Sequence, residues 1–406
     1  MPDHPLPFDH FVVGVNYWPQ RSAMYWWKNF SAGEVQREFE QIKELSLEAV
    51  RISLLWEDFQ PERQRVDVKQ MNNLERVLQL ADDLGLRVVP VLFTGHMSGC
   101  NWLPYWATEI GDNPSRFTTI VNDSVANRFT RHIFSDPAMV EAQELQARVL
   151  AGAFAQHPAI LFWDLGNESS NVVLPPSEEV AAQWANRLGE AIHSAASGAL
   201  VSCGLHSQDL EADRRLSPLS MAESNDFLCM HGYSVYASWA KAPLDSDVCP
   251  FLSILTESLG RKPVLFEEFG VCTAEQGAAG HFVDIATRGG RLHQYLAGED
   301  EAATYYEEVL EKLWNAGSLG AFAWCWADYD PALFGAPPLN THVHERSFGL
   351  IRADGSPKPM AEVIQRVARE RRPLRPLPEA RRFSGLESYY RDLPRSLTDR
   401  FQEFSP

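Results

Sequence analysis

Short hydrophobic runs alternate along the chain with stretches in which apolar residues recur every three or four positions. The first pattern predicts strands, and the second predicts helices that bury one face. Helical segments such as EVQREFEQIKELS and MNNLERVLQLADDLG separate the runs. Eight runs have the strand pattern: FVVGVNY (11–17), AVRISLL (49–55), RVVPVLF (87–93), AILFWDLGN (159–167), LVSCGLH (200–206), FLCMHGY (227–233), PVLFEEF (263–269) and GAFAWCW (320–326). The alternation predicts an α/β fold, a (β/α)8 TIM barrel.

The connections between these runs are uneven, with about 66 residues between the third and fourth and about 50 between the seventh and eighth. Long connections after strands form the functional face of such barrels. We therefore expect the loops at 102–113 and 272–295 to wall off one end of a cleft. An Arg- and Pro-rich stretch that begins near residue 371 predicts a barrel of residues 1–370 and a C-terminal extension, 371–406. The extension packs on the barrel or on a partner subunit, or it is a loosely held terminus.

Composition narrows the classes of partner. The chain has 36 Lys and Arg against 54 Asp and Glu, a formal net charge of -18, which disfavours binding to nucleic acid and to anionic membranes. The first residues have neither a basic leader nor a long apolar segment, so we expect a cytoplasmic protein. Six scattered cysteines without a C-x-x-C pair predict reduced thiols rather than a disulfide or zinc framework.

Two glutamates follow hydrophobic strand runs: Glu168 closes ILFWDLGNE, and Glu268 lies in VLFEEFG. The carboxyl ends of barrel strands meet at one face, so these carboxylates are expected to converge. Cleavage of a glycosidic bond needs such a pair, one carboxyl protonated and the other ionised. Strand alternation predicts that Glu267 and Glu268 point to opposite faces, with only one toward the barrel interior, and parity alone leaves either possible.

Five polar residues accompany this pair. Arg51 is a cation inside an apolar run and requires a buried anion, either the ionised glutamate or an ordinary core partner. Asn167 can donate to the 2-hydroxyl of a sugar. His231 and Tyr233 share one strand face, and His96 follows the third strand; each is a candidate to bind a hydroxyl or orient a carboxylate, or else an ordinary core residue.

The same two alternatives, a role in the site or an ordinary place in the core, apply to the aromatic and histidine residues. By alternation Trp324 and Trp326 share a face and can offer indole platforms to a pyranose ring, although many of the twelve tryptophans are expected to be core. No H-E-x-x-H motif is present, and the spacing His342-x-His344 is weak evidence for a metal ligand pair. No nucleotide-binding signature occurs. We predict no metal and no cofactor.

Together these residues resemble clan A glycoside hydrolases, most closely family 5, the cellulase and mannanase group. The resemblance is closest to its β-mannosidase or endo-β-mannosidase-type members. Two positions depart from the family pattern: Ser169 follows Glu168 where Pro is frequent, and Glu267 doubles the second acid. The matching residues are Arg51, His96, Asn167, Glu168, His231, Tyr233, Glu268 and Trp324.

The resemblance implies that Glu168 is the acid/base, that Glu268 rather than Glu267 is the nucleophile, and that configuration is retained. The carboxyl groups should then lie about 5–5.5 Å apart. A cytoplasmic enzyme meets short imported glycosides, so we expect exo action on β-linked mannosides or short manno-oligosaccharides. A β-glucosidase or β-galactosidase is the nearest alternative. Two alternatives belong to other functional classes: a non-catalytic sugar-binding barrel and a metal hydrolase. The oligomeric state, including a homo-oligomer, stays open.

Overall fold

The computed structural model describes residues 6–111 and 115–405. Eight parallel strands close into a barrel in which each strand pairs with its neighbours in the chain and the last pairs with the first. The strands are β1 (Val12–Tyr17), β2 (Ala49–Leu55), β3 (Arg87–Thr94), β4 (Trp163–Asn167), β5 (Val201–His206), β6 (Leu228–His231), β7 (Val264–Phe269) and β8 (Gly320–Ala323). The prediction of a (β/α)8 barrel is confirmed.

Helices surround the barrel and begin at residues suited to cap them. The Ser31 side chain accepts from the Glu34 amide, and Asp136 accepts from the Ala138 amide with Pro137 in the first helical position. The helices are α1 (Ala32–Glu44), α2 (Trp56–Phe59), α3 (Val68–Asp83), α4 (Pro137–Phe154), α5 (Glu178–Ala195), α6 (Gln208–Glu211), α7 (Pro218–Ala222), α8 (Val248–Gly260), α9 (Glu299–Asn315), α10 (Pro359–Glu370) and α11 (Arg395–Phe404).

The barrel interior changes from apolar to charged along its axis. At the amino ends of the strands, one cluster of buried side chains fills the interior, and Phe8 packs into it from below. Its strand members include Val12, Ala49, Val89, Leu265 and Phe322. Further along the strands, inward-facing positions carry Asn16, Arg51, Asp164 and Glu267, all buried. A charged layer therefore lies directly beneath the functional face.

The long loops after β3 and β7 contain strands of their own. The β3 loop forms a four-stranded sheet and a separate strand pair, and the β7 loop forms a two-stranded hairpin. Residues 112 and 113 of the predicted wall at 102–113 lie outside the described residues. The loop strands are His96–Met97, Cys100–Trp102, Thr108–Ile110, Thr118–Val121, Ser124–Ala126, Arg128–Thr130, His281–Thr287 and Gly290–Leu296.

The described part of the C-terminal extension lies against the barrel helices. The Tyr389 hydroxyl donates to the Leu210 carbonyl at 2.7 Å, and the Phe401 ring packs edge-on against Trp239 and Phe251. These contacts favour an extension that packs on the barrel over a loosely held terminus. The division of the chain at residue 370 stays a prediction.

All six cysteines are buried and carry free thiols. Within residues 6–111 and 115–405, no helix combines the length and the hydropathy needed to cross a membrane.

Candidate active site

A cavity of about 540 Å³ opens at the carboxyl ends of the strands, a volume within the range of small-molecule sites. Arg51 lies beneath it in the charged layer, against residues that line it. The predicted site residues that line the cavity are His96, Asn167, Glu168, His231, Tyr233, Glu268 and Trp324.

The two glutamates approach each other closely. Glu168, His231 and Glu268 each present one atom, and these three atoms lie within 4.8 Å of one another. Carboxyl groups about 5–5.5 Å apart suit direct attack by one of them on the anomeric carbon, whereas about 6.5–9.5 Å leaves room for an intervening water. The spacing therefore fits the covalent geometry.

Glu168 reaches the cavity through an irregular end of β4. The pairing of β4 with β5 shifts register between Asp164 and Asn167, and Glu168 then adopts a left-handed backbone conformation with φ of 49°. A left-handed backbone is uncommon outside glycine and often marks a functional position. Asn171 donates its side-chain amide to Glu168 Oε2 at 2.9 Å. The carboxylate is thus held from a second element.

The expectation that Glu267 and Glu268 face opposite sides of β7 is wrong. The pairing of β7 shifts register against both neighbouring strands around these residues, as in a β-bulge. Glu267 follows the inward parity of Leu265, and the bulge turns Glu268 inward as well. Both carboxylates consequently contact Arg51, and Glu268 alone of the two lines the cavity.

Arg51 is the common partner of three buried acids. Its guanidinium lies 2.6 Å from Glu268 Oε1, 2.7 Å from Asp164 Oδ2 and 3.4 Å from Glu267 Oε1. The predicted pairing of Arg51 with Glu268 is therefore present. Burial and, to a smaller extent, the charge of Glu267 raise the pKa of Asp164 to about 7, although Arg51 lowers it. The charged layer is therefore a group of closely spaced charges rather than one simple ion pair.

His231 lies between the glutamates. Its Nδ1 is 3.2 Å from Glu168 Oε1 and 3.5 Å from Glu268 Oε1, and its Nε2 is 3.4 Å from Glu267 Oε2. Burial alone would lower the pKa of His231, but the surrounding carboxylates raise it to about 10. Burial would likewise raise the pKa of Glu168, yet His206, His231 and His96 bring it below its usual range. A proton in this group is therefore held on His231.

The other predicted side chains position the carboxylates. The Tyr233 hydroxyl donates to Glu268 Oε2 at 2.6 Å, and Asn167 accepts from Arg51 and donates to the His96 carbonyl. Burial lowers the pKa of His96 to about 4, so its ring is neutral near pH 7. Its Nε2 lies 3.9 Å from Glu168.

Trp324 and Trp326 do not share a face. β8 ends at Ala323, so strand alternation does not extend to Trp326. Trp324 lines the cavity, whereas Trp326 is 1% exposed, belongs to the hydrophobic core and donates its backbone amide to the Asn16 carbonyl. Its proposed role in binding sugar is a wrong prediction.

Several cavity residues were not predicted as sugar-binding groups. His206, at the end of β5, lies 3.8 Å from Glu168. Arg116 stacks on Phe117 and hydrogen-bonds Gln208. No local motif distinguishes these residues. Asp164 was detectable, because it is an acid within a buried strand run, as Arg51 is a cation within another.

The donor set was also tested as a cation site. Among the described residues, only Glu168, His231 and Glu268 form a group whose atoms could together hold a metal ion. A cation bound there would share the Glu268 carboxylate with the guanidinium of Arg51, which already lies 2.6 Å from it. Two like charges on one buried carboxylate repel strongly, so these residues fit a metal poorly.

A closed barrel that brings two glutamates together at the carboxyl ends of β4 and β7 defines a glycoside hydrolase of the two-carboxylate class. The model of the cellulase family, glycosyl hydrolase family 5, matches residues 12–330, and the chain belongs to this family. No curated protein sequence matches the chain.

Solved structures share the fold. GH5_18 from Streptomyces cattleya in complex with GlcNAc is 23% identical with a TM-score of 0.73, covering 92% of this chain and 83% of that one. An exo-beta-1,4-mannosidase from Opitutaceae bacterium strain TAV5 is 25% identical with a TM-score of 0.72, over 90% of this chain and 62% of that one. A GH5_18 variant from Bifidobacterium longum subsp. longum in complex with Manβ1-4GlcNAc is 19% identical with a TM-score of 0.72, over 90% and 80%. The chain is thus a glycoside hydrolase of family 5 that is similar in structure to an exo-beta-1,4-mannosidase.

Proposed function

We propose that the protein is a retaining, exo-acting β-mannosidase that releases terminal mannose from short β-mannosides. The observation that carries the proposal is the approach of Glu168 and Glu268, with atoms within 4.8 Å of each other across one cavity. The similarity to an exo-beta-1,4-mannosidase supports the sugar and the mode of action. A cytoplasmic location is part of the proposal, supported by the six free thiols.

In the first step, a carboxylate oxygen of Glu268 attacks the anomeric carbon while the bond from that carbon to the leaving oxygen breaks. Glu168 delivers a proton to the leaving oxygen, which departs as an alcohol. In the second step, Glu168 takes a proton from water, the water oxygen attacks the same carbon, and the bond to Glu268 breaks. Arg51 and Tyr233 donate hydrogen bonds to Glu268 and orient it for attack.

The proton for the first step resides on His231 and passes to Glu168. Nδ1 of His231 lies 3.2 Å from Glu168 Oε1, a distance over which a hydrogen bond can transfer it. When the glycosyl bond forms, Glu268 loses its negative charge. The surrounding carboxylates then attract the proton on His231 less strongly. Glu168 therefore receives the proton as the leaving group needs it.

Exo action is supported by a contact between two loops. Gly99, in the loop after β3, has φ of 70°, and a Cβ built on it would lie 2.6 Å from the ring of His342 in the loop after β8. Both residues line the cavity. Because β1 and β2 lie between these strands in the barrel, the contact bounds the cavity above them. A pocket that is closed on this side accepts the terminal sugar of an oligosaccharide rather than an internal sugar.

Product analysis on a glycoside panel tests the proposal. We expect p-nitrophenyl β-mannoside and Manβ1-4GlcNAc to be hydrolysed faster than the β-glucoside and β-galactoside, with β-mannose as the first product seen by proton NMR. Preference for another sugar would redirect the substrate assignment, and α-mannose as the first product would contradict retention. No turnover would support a sugar-binding role, and loss of turnover with EDTA would support a metal mechanism.

A further inference from the structure

Glu345 is a buried carboxylate that faces the cavity from the loop after β8. Its protein partners are His344 Nε2 at 3.3 Å, the Tyr236 hydroxyl at 3.5 Å and the side chain of Ser98. Among the described residues, no Lys or Arg side chain forms an ion pair with it. Burial would raise the pKa of Glu345, but the hydrogen bond from His344 holds it below its usual range. An ionised acceptor with unused capacity therefore borders the cavity.

His344 adds a second acceptor beside it. Its side chain is 3% exposed and lines the cavity, and its Nδ1 has no hydrogen-bond partner among the described residues. Because Nε2 faces Glu345, that nitrogen is the hydrogen-bond donor of the ring, and Nδ1 is its acceptor. A buried polar atom without a partner is costly, so this nitrogen is suited to a polar group of a ligand.

This pair lies on the Glu268 side of the cavity. Tyr236 is 5.6 Å from Tyr233 between ring centroids and 6.1 Å from His344, and Tyr233 hydrogen-bonds Glu268. The opposite side, around Glu168, is where a leaving group is protonated. A sugar whose anomeric carbon meets Glu268 therefore has its own ring toward Glu345 and His344.

We propose that Glu345 and Nδ1 of His344 accept hydrogen bonds from two neighbouring hydroxyls on the edge of the terminal sugar away from its anomeric carbon. The two residues determine specificity for a terminal sugar in which those hydroxyls are free. The inference rests on the proposed glycosidase function and deepens it. Adjacent carboxylate and imidazole acceptors match a diol, because each hydroxyl donates one hydrogen and a charged acceptor strengthens the bond.

Deoxy sugars test which atoms make these bonds. For the wild type, kcat/KM is measured on p-nitrophenyl β-mannoside and on its 3-deoxy, 4-deoxy and 6-deoxy analogues. Deletion of a hydroxyl bound to Glu345 should lower kcat/KM by about 10- to 100-fold. In Glu345→Gln the same deletion should cost less than about 3-fold, because the charged acceptor is gone. Glu257→Gln, another buried carboxylate paired with Arg382 outside the cavity, should keep the wild-type pattern.

A merely structural role would lower the activity of Glu345→Gln equally on all four substrates and leave its sensitivity to deoxygenation unchanged. That result overturns the inference while the proposed function stands. If Glu345→Gln does not fold, His344→Phe removes Nδ1 but keeps a ring, and its unchanged sensitivity at every position would also overturn it. A wild type that hydrolyses no β-glycoside removes the proposed function, and the hydroxyl assignment with it.

Discussion

The charged layer inside the barrel and the hairpin over its rim both contain arginines paired with acids, yet the two settings differ. Arg51 and its partners Asp164 and Glu267 are almost fully buried. In the hairpin, Arg291 lies 3.3 Å from Asp284 with side chains 76% and 49% exposed. Breaking a buried pair leaves an uncompensated charge, whereas an exposed pair contributes about 0–1 kcal/mol. The interior therefore fixes catalytic geometry, and the loops can vary.

The same contrast divides the proposed chemistry. Arg51 and His231 on strands, and Tyr233 just beyond the end of β6, hold Glu268 from three directions. The contacts of the loop residue Glu345 with His344 and Tyr236, at 3.3 and 3.5 Å, are longer than those of Arg51 and Tyr233 with Glu268. Sites on regular elements are positioned more accurately than sites on loops. Bond cleavage thus depends on the barrel, and the choice of sugar depends on its loops.

The largest expected effect is the loss of the attacking carboxylate. Glu268→Ala should lower kcat on p-nitrophenyl β-mannoside by at least about 10⁴-fold, because it removes the carboxylate that forms the glycosyl bond. Steady-state kinetics measures the loss. Glu267→Ala tests the doubled acid, since it disturbs Arg51 and His231 but leaves the nucleophile. A fully active Glu268→Ala variant would refute the assignment.

Loss of the proton donor should have a smaller effect that depends on the substrate. Glu168→Ala should lower kcat/KM by about 10²–10⁴-fold on glycosides with poor leaving groups and by less on activated aryl glycosides. Added azide should restore turnover and give the mannosyl azide with retained configuration. An equal loss across leaving groups would argue against proton donation by Glu168.

Arginine removal compares the two settings directly. Arg51→Met should lower the free energy of unfolding by about 3–5 kcal/mol, because three buried carboxylates lose their shared cation. Arg291→Met removes the same group from the hairpin and should change the free energy of unfolding by less than about 1 kcal/mol. Urea titrations of both variants measure the difference. Equal destabilisation would mean that burial does not distinguish the two regions.

The sequence predicted the barrel, its eight strands and the convergence of the two glutamates, because these depend on hydrophobic periodicity and on the common direction of parallel strands. It failed where periodicity is interrupted. The bulge at Glu267 and Glu268 turns both residues inward, and the end of β8 at Ala323 removes Trp326 from the cavity. An interruption of this kind is set by pairing with neighbouring strands, which the residues of one strand do not encode.

The role of the loop residues could not be predicted from the sequence for a related reason. Glu345 and His344 line the cavity from the loop after β8, which meets the loop after β3 at Gly99, more than 240 positions away in the chain. In the sequence, His342-x-His344 suggested at most a weak metal motif. The pairing of His344 with Glu345 became evident only from the folded positions of both side chains.

The smallest expected effect is a shift in pH dependence that separates His231 from a purely structural residue. The active free enzyme needs one proton in the Glu168–His231 pair, and activity falls as pH rises through the pKa of the group that holds it. In the wild type the carboxylates raise the pKa of His231 to about 10. In His231→Asn the proton can reside only on Glu168, so the alkaline limb of kcat/KM should move to lower pH by about one unit or more.

The control is His193→Asn at an exposed position on α5, which should keep the wild-type limb. An unmoved limb in His231→Asn would place the proton elsewhere and make His231 a spacer between the acids, so this profile decides whether the buried charges only hold the geometry or also store the proton.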